Sequence, residues 1–188
     1  AIATDLSMNN AIDISLNDIA ITSVDVEDLF LIDDEVSTGD VEVLNRVKLF
    51  GKAQRILDAS NANIKFGEAD ISLNDLSNVT LAATDLKLIG DLTTKTVTVL
   101  EADISGTISE INTAYNAGVF FTDSDISIND IQQIDAALVQ DLVIISGIYT
   151  QGNVSVETAD LSGTVVEFKD IISKAATFTN SDISLNDA

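Results

Sequence analysis

The hexapeptide Asp-Ile-Ser-Leu-Asn-Asp stands at residues 13–18, 70–75 and 182–187, and a variant with Ile in place of Leu at 125–130. The spacings are 57, 55 and 57 residues. A fixed long period restricts a chain to architectures in which one supersecondary unit stacks on copies of itself. Three full copies span 13–69, 70–124 and 125–181, with 1–12 aligning to the tail of a preceding copy and 182–188 to the head of a following one. Residues 1–188 are thus expected to form one array, cut from a longer one.

Each copy divides again. "ADISGTISEI" (102–111) and "ADLSGTVVEF" (159–168) echo "ADISLNDLSN" (69–78), whereas "VKLFGKAQRI" (47–56) keeps the Gly and loses the Asp and Ser. Ahead of each repeated Asp, apolar residues alternate: Ile64/Phe66, Val97/Val99, Val119/Phe121, Val154/Val156 and Ala176/Phe178. That is strand patterning. After the Asp the intervals lengthen to three and four, as in Leu73/Leu76/Val79, Ile128/Ile131/Ile134 and Ile108/Ile111/Tyr115, which is the spacing of one helix face. Ser15, Ser72, Ser105, Ser127, Ser162 and Ser184 then read as helix N-caps, and in the hexapeptides an Asp follows three residues later, as in a capping box. Gly118 reads as a helix end. "DLFLI" (28–32), "DLKLI" (85–89) and "DLVII" (141–145) alternate and read as a further short strand. The expected fold is an α/β repeat solenoid with a parallel β-sheet and capped helices, about 28 residues per coil in 55–57-residue double repeats.

Composition decides between a folded chain and an acidic tail. The net charge of −22 suits disorder, but 46% hydrophobic residues and a mean hydropathy of +0.28 do not. Nine basic residues are too few to neutralise a run of phosphates, so nucleic-acid binding is excluded as an expectation. No apolar run is long enough for membrane insertion. With neither His nor Cys, the many Ser and Thr hydroxyls have no histidine as base, and the acids recur in every copy where an active site would be singular. No catalytic residue is expected, and no enzyme.

If matching residues of successive coils stacked about 4.8 Å apart, as neighbouring strands do, one column would run Asp13, Lys48, Asp70, Asp103, Asp125, Asp160, Asp182. Two readings of it compete. Asp70, Asp103, Asp125, Asp160 and Asp182 are candidate calcium ligands, since adjacent carboxylates repel unless a cation intervenes. The other reading is a solvated acidic edge without any cofactor. Neither an EF-hand loop nor a glycine-rich calcium nonapeptide is present.

The stretch "ISGTISEINTAYNAGVFFTDSDISINDIQQIDAAL" (104–138), with its S-G-T-x-x-E-I-N-T-A-Y element, resembles repeats of very large secreted or surface proteins of cyanobacteria and other marine bacteria. The resemblance implies a non-enzymatic structural segment of a bacterial extracellular or cell-surface filament or matrix protein. It brings no catalytic residues. Expected partners are neighbouring repeats, or copies of the chain end to end through apolar positions such as Met8 and Leu185. A glycan- or protein-binding adhesion module is the alternative.

Overall fold

A computed structural model describes residues 13–16, 23–35, 39–44, 47–62, 64–121, 123–130, 134, 136–150, 152–174 and 176–186. Strands β1 (Ile14–Leu16) and β2 (Ser23–Asp25) lead to α1 (Val26–Glu35), and β3 (Val41–Val43) and β4 (Lys48–Gly51) to α2 (Ala53–Asn61). Then β5 (Ile64–Lys65), β6 (Asp70–Leu73) and β7 (Thr80–Ala82) precede α3 (Ala83–Gly90), and β8 (Val97–Val99) and β9 (Asp103–Gly106) precede α4 (Ile108–Asn116). After β10 (Val119–Phe120) and β11 (Ile126–Ile128), α5 (Ala136–Ile144) runs on as a π-helical turn over Ile145–Tyr149. The chain continues through β12 (Val154–Val156), β13 (Leu161–Gly163), α6 (Val165–Ser173), β14 (Ala176–Phe178) and β15 (Ile183–Leu185).

The fold is α/β, with helices alternating with strands and every strand pairing among the described residues parallel. The sheets are β1-β3-β5, β10-β8-β6-β4-β2, β14-β12-β11-β9-β7 and β13-β15. Paired residues lie from 22 positions apart in the chain, as in β13 and β15, to 28 apart, as in β11 and β12.

Alternation fixes which side of each strand is buried. Leu49, Ile71, Val97 and Val119 are register partners across four strands, and all are buried. In the next sheet Leu81, Ile104, Ile126, Val154 and Ala176 form the matching row. Each larger member contributes about 1.5–3 kcal/mol through burial. The helices add i, i+3, i+6 stripes, such as Ile108, Ile111 and Ala114 in α4. Gly118, at φ 85°, ends α4 by donating its N–H to the Tyr115 carbonyl.

Close approach demands glycine at the strand ends Gly51 and Gly106. A Cβ on Gly106 would stand 2.7 Å from the Cβ of Ala83, and one on Gly51 would stand 2.4 Å from Cγ1 of Val26. Ala83 and Val26 each open a helix, so the strand-ending glycine lets the start of the preceding helix pack against it.

Three expectations are corrected here. Ser15, Ser72, Ser105, Ser127, Ser162 and Ser184 are strand residues, in β1, β6, β9, β11, β13 and β15, and cap no helix. Side-chain caps are seen instead at Thr107 and Thr164, two residues beyond Ser105 and Ser162, each in a capping box with Glu110 or Glu167, and at Asp25 ahead of α1, which accepts the Glu27 N–H at 3.0 Å. After the hexapeptide the chain makes a second strand, not a helix: Leu73 ends β6, Leu76 is 61% exposed, and Val79 precedes β7. Ile131 lies outside the described residues. "DLFLI", "DLKLI" and "DLVII" are helical, within α1, within α3, and across α5 and the first residue of the π-helical turn. In α3 the buried residues are Ala83, Leu86, Ile89 and Gly90, the first three at intervals of three, while Leu88 is exposed.

The repeat and the pairing do not keep step. Two pairings from Ile71 lead through Val97 to Val119. The residue matching Ile71 one repeat on is Ile126, and it lies in the next sheet. Matching strands β2/β7, β4/β9, β6/β11, β8/β12 and β10/β14 therefore occupy the same ranks of two successive sheets.

Candidate functional site

The hexapeptide is the natural place to seek chemistry, and its polar atoms are engaged between strands. Its first Asp accepts hydrogen bonds from the chain entering the next strand. Oδ1 of Asp70 accepts from the Thr96 hydroxyl (2.8 Å) and N–H (3.3 Å), and Oδ1 of Asp125 from the Asn153 N–H (2.7 Å) and side-chain amide (3.2 Å). Asp13 accepts from the Asp40 N–H at 3.1 Å, and Asp160, the matching Asp of a half-repeat, accepts from the Asp182 N–H at 3.0 Å.

The last Asp works in the opposite direction along the stack. Oδ2 of Asp75 accepts the N–H of Ala53, the first residue of α2, at 2.8 Å, and Oδ2 of Asp130 accepts the N–H of Ile108, the first residue of α4, at 2.8 Å. The helix start leaves its first N–H groups without intrahelical partners, and a carboxylate there also meets the positive end of the helix dipole. The intervening Asn74, Asn129 and Asn186 donate their N–H groups to the carbonyls of Gly51, Gly106 and Gly163. The serines face outward in register, Ser105, Ser127 and Ser155 forming one row, with the last two hydroxyls 3.2 Å apart.

The expected single acidic column is not formed. Asp13 is level with Asp40, Lys48 pairs with Asp70, Asp103 is level with Asp125, and Asp160 with Asp182, while Asp70 and Asp103 belong to different sheets. The column required repeat-matched residues to stack, and each repeat instead moves them to the next sheet. The candidate ligands are thereby reduced to two neighbouring carboxylate pairs. Among the described residues no three His, Cys, Asp or Glu side chains are grouped to hold a metal ion.

Sequence reasoning missed two kinds of residue. Thr93 and Thr150, 57 positions apart, are buried and play identical parts: each hydroxyl donates to a carbonyl of the coil before, Ala69 or Ser124, at 2.6 Å. Each also accepts a backbone N–H two residues on. Their common offset from the following strand was the available signal. The second kind is a set of ions linking neighbours. Arg55 makes a two-pronged contact with Glu27 (2.7 and 2.5 Å) and lies 4.0 Å from the centre of the Phe30 ring, and Lys65 pairs with Asp40.

Among the described residues three carboxyls, Glu27, Asp33 and Glu167, depart from their ordinary behaviour. The Thr164 backbone N–H, then its hydroxyl, then Gln140 hold Glu167 below the usual range. The Arg55 side chain lowers Glu27. Burial first, and then the charge of Asp34, pushes Asp33 upward, and its Oδ1 is buried without a hydrogen-bond partner.

Open grooves follow the helix pairs. One of about 650 Å³ lies between α5 and α6, lined by Val143, Val166, Glu167 and Lys169, and one of about 300 Å³ lies at the matching place between α3 and α4. They stand at matching places of the repeat. The chain matches no protein-family model, no curated protein and no solved structure.

Proposed function

We propose that the chain is a non-enzymatic structural segment, an α/β repeat solenoid of the kind that sets length in a large bacterial extracellular filament, matrix or surface protein. One observation carries this reading: the polar residues that repeat most faithfully are used to join one coil to the next. Asp70 and Asp125 bond forward, Asp75 and Asp130 bond back to a helix start, and Thr93 and Thr150 bridge the same step. A repeat whose polar groups serve its own stacking can be extended without redesign. The extracellular setting rests on the resemblance of 104–138 to repeats of secreted and surface proteins. Further repeats, or copies end to end, are the partners, and β15 supports this with Ile183 46% and Leu185 57% exposed. No helix of the described residues is long and apolar enough to cross a membrane.

The test is to excise one complete copy, 70–124, and separately an out-of-register stretch that is no multiple of the period, 70–110, which would run Ala69 straight into Ile111 within α4. The in-register deletion is expected to fold, with unchanged helix and strand content per residue and a shorter maximum dimension in solution scattering. The out-of-register deletion is expected to unfold. Unfolding of both would refute an extendable array.

Calcium enters the proposal as a stabilising cation at the pairs Asp103/Asp125 and Asp160/Asp182. A ligand binding only the folded chain raises the melting temperature as its concentration passes Kd. Equal melts in calcium and in chelator at matched ionic strength would remove it and leave solvated acids.

A further inference from the structure

The chain has two tyrosines, and they meet. Tyr115 lies in α4 and Tyr149 ends the π-helical turn after α5, yet their ring centres are 3.7 Å apart with the planes 11° from parallel. Phe121 closes the group edge-on to both rings, at 6.1 and 6.2 Å, and Phe120 stands edge-on to Tyr115 at 5.5 Å. The repeat does not demand this stack. The positions matching Tyr115 hold Ser60 and Ile172, and the one matching Tyr149 holds Leu92. Both rings are only partly buried, and they belong to different copies of the repeat, 70–124 and 125–181.

We propose that Tyr115 and Tyr149 are a site of oxidative modification, coupled by a one-electron phenol oxidant of the haem-peroxidase class with hydrogen peroxide into a dityrosine staple between adjacent repeats. Each phenol gives up one electron and its hydroxyl proton, leaving a phenoxyl radical with spin on the ring carbons beside the oxygen. Two such carbons, one from each ring, join in a new C–C bond. The hydrogen on each of these carbons then leaves as a proton while each phenolic oxygen regains one. The chain loses two electrons and two protons in all, and the peroxide takes them up to become two waters. Holding the rings face to face replaces a bimolecular encounter of radicals with an intramolecular one. Burial, then the neighbouring Tyr115 and Asp141, push the Tyr149 phenol upward, so it is protonated at neutral pH and must release that proton on oxidation. The staple would close a loop between Tyr115 and Tyr149 and restrict the unfolded chain, as other cross-links do.

The full chain is treated with peroxidase and hydrogen peroxide over a range of protein concentrations and followed by dityrosine fluorescence, denaturing gels and intact mass. The expected product is a monomer two hydrogens lighter, formed at a rate independent of protein concentration, in which peptide mapping joins Tyr115 to Tyr149. Its melting temperature should exceed that of the untreated chain. Tyr115→Phe and Tyr149→Phe keep the rings and are each expected to abolish the product. The chain unfolded in urea, at a strength at which the peroxidase still dimerises free tyrosine, is a second control, and coupling there should be much slower. Coupling only between chains, coupling as fast in urea as in buffer, or no coupling where free tyrosine dimerises in the same mixture would each overturn the proposal. The outcome is independent of the excision experiment, because it depends on two residues that the repeat does not contain elsewhere.

Discussion

Helices α2 and α4 start at the same point of the repeat and are secured differently. Both follow a strand ending in glycine, Gly51 or Gly106, and both have their first N–H accepted by an Asp from the next coil, Asp75 or Asp130. Helix α4 adds its own capping box, with Thr107 accepting the Glu110 N–H at 3.2 Å and Glu110 accepting the Thr107 N–H at 2.8 Å. Helix α2 opens at Lys52 with no side-chain cap, and its third residue is Arg55, which faces Glu27 instead. The stretch "KLFGKAQRI" therefore gave up the local signal for a helix start while keeping the glycine and the Asp from beyond. Support lent across coils tolerates local drift.

That comparison can be broken at the shared parts and sharpened at the different ones. The largest effect is expected at the glycines. Gly106→Val and Gly51→Val place atoms on Ala83 and Val26 and should each destabilise by about 3 kcal/mol, the upper end for overpacking, as read by denaturant unfolding. Equal tolerance of valine at an exposed control such as Leu88 and at Gly106 would remove the close-approach argument.

Next come the aspartates. Asp75→Ala leaves the Ala53 N–H without its acceptor and should cost about 2 kcal/mol, whereas Asp130→Ala should cost nearer 1 kcal/mol, since Asp130 is less buried and α4 retains its box. Hydrogen exchange at Ala53 and Ile108 should quicken in the respective variants. A reversed order would mean that the box and the cross-coil bond are one unit. Smaller again is the box alone: Thr107→Ala should cost about 0.5 kcal/mol and Lys52→Ala almost nothing, by the same unfolding measurement.

The smallest effects are electrostatic and opposite in sign. Glu167 is held below its ordinary value, so its contribution is present above the unfolded glutamate value and is lost as pH falls through the depressed one. Asp33 is pushed up, so its charged form weighs against folding, and that cost appears as pH rises through the raised value. Asp33→Asn should therefore raise the melting temperature at pH 7 and lose that advantage in acid, while Glu167→Gln should lower it at pH 7 and have no effect in acid. Identical pH profiles for both variants and the parent would show that neither carboxyl matters.

What could be read from the sequence, and what could not, follows from how local each feature is. Pairs such as Val97/Val99 and Val154/Val156 carry their own evidence, because inside and outside alternate within one strand. The helix at 108–116 was also plain from its three-four spacing and Gly118, although its cap is Thr107 and not the Ser105 read from the sequence. The second strand after the hexapeptide was hidden: Leu73, Leu76 and Val79 keep helical spacing only because a strand, a turn and a new strand happen to place apolar residues there. The segment "DLKLI" misled in the other direction, since the exposed Leu88 filled in an alternation that the buried face, Leu86 and Ile89, does not have. The job of Asp75 was beyond reach altogether. Its partner sits 22 residues earlier, and only the stacking distance reveals it.

The hand-over of matching strands from one sheet to the next has a consequence for how such a chain bears its charge. Had every repeat delivered its first Asp to the same row, each added copy would have lengthened a line of like charges, and repulsion along that line would have grown with length. Here the acids are dealt out in short groups to successive sheets, as spokes are staggered round a hub. In the proposed array, electrostatic strain per repeat stays constant however many repeats are joined. A row of these first Asp residues is ended at two, Asp103 beside Asp125 and Asp160 beside Asp182, before the next sheet takes over.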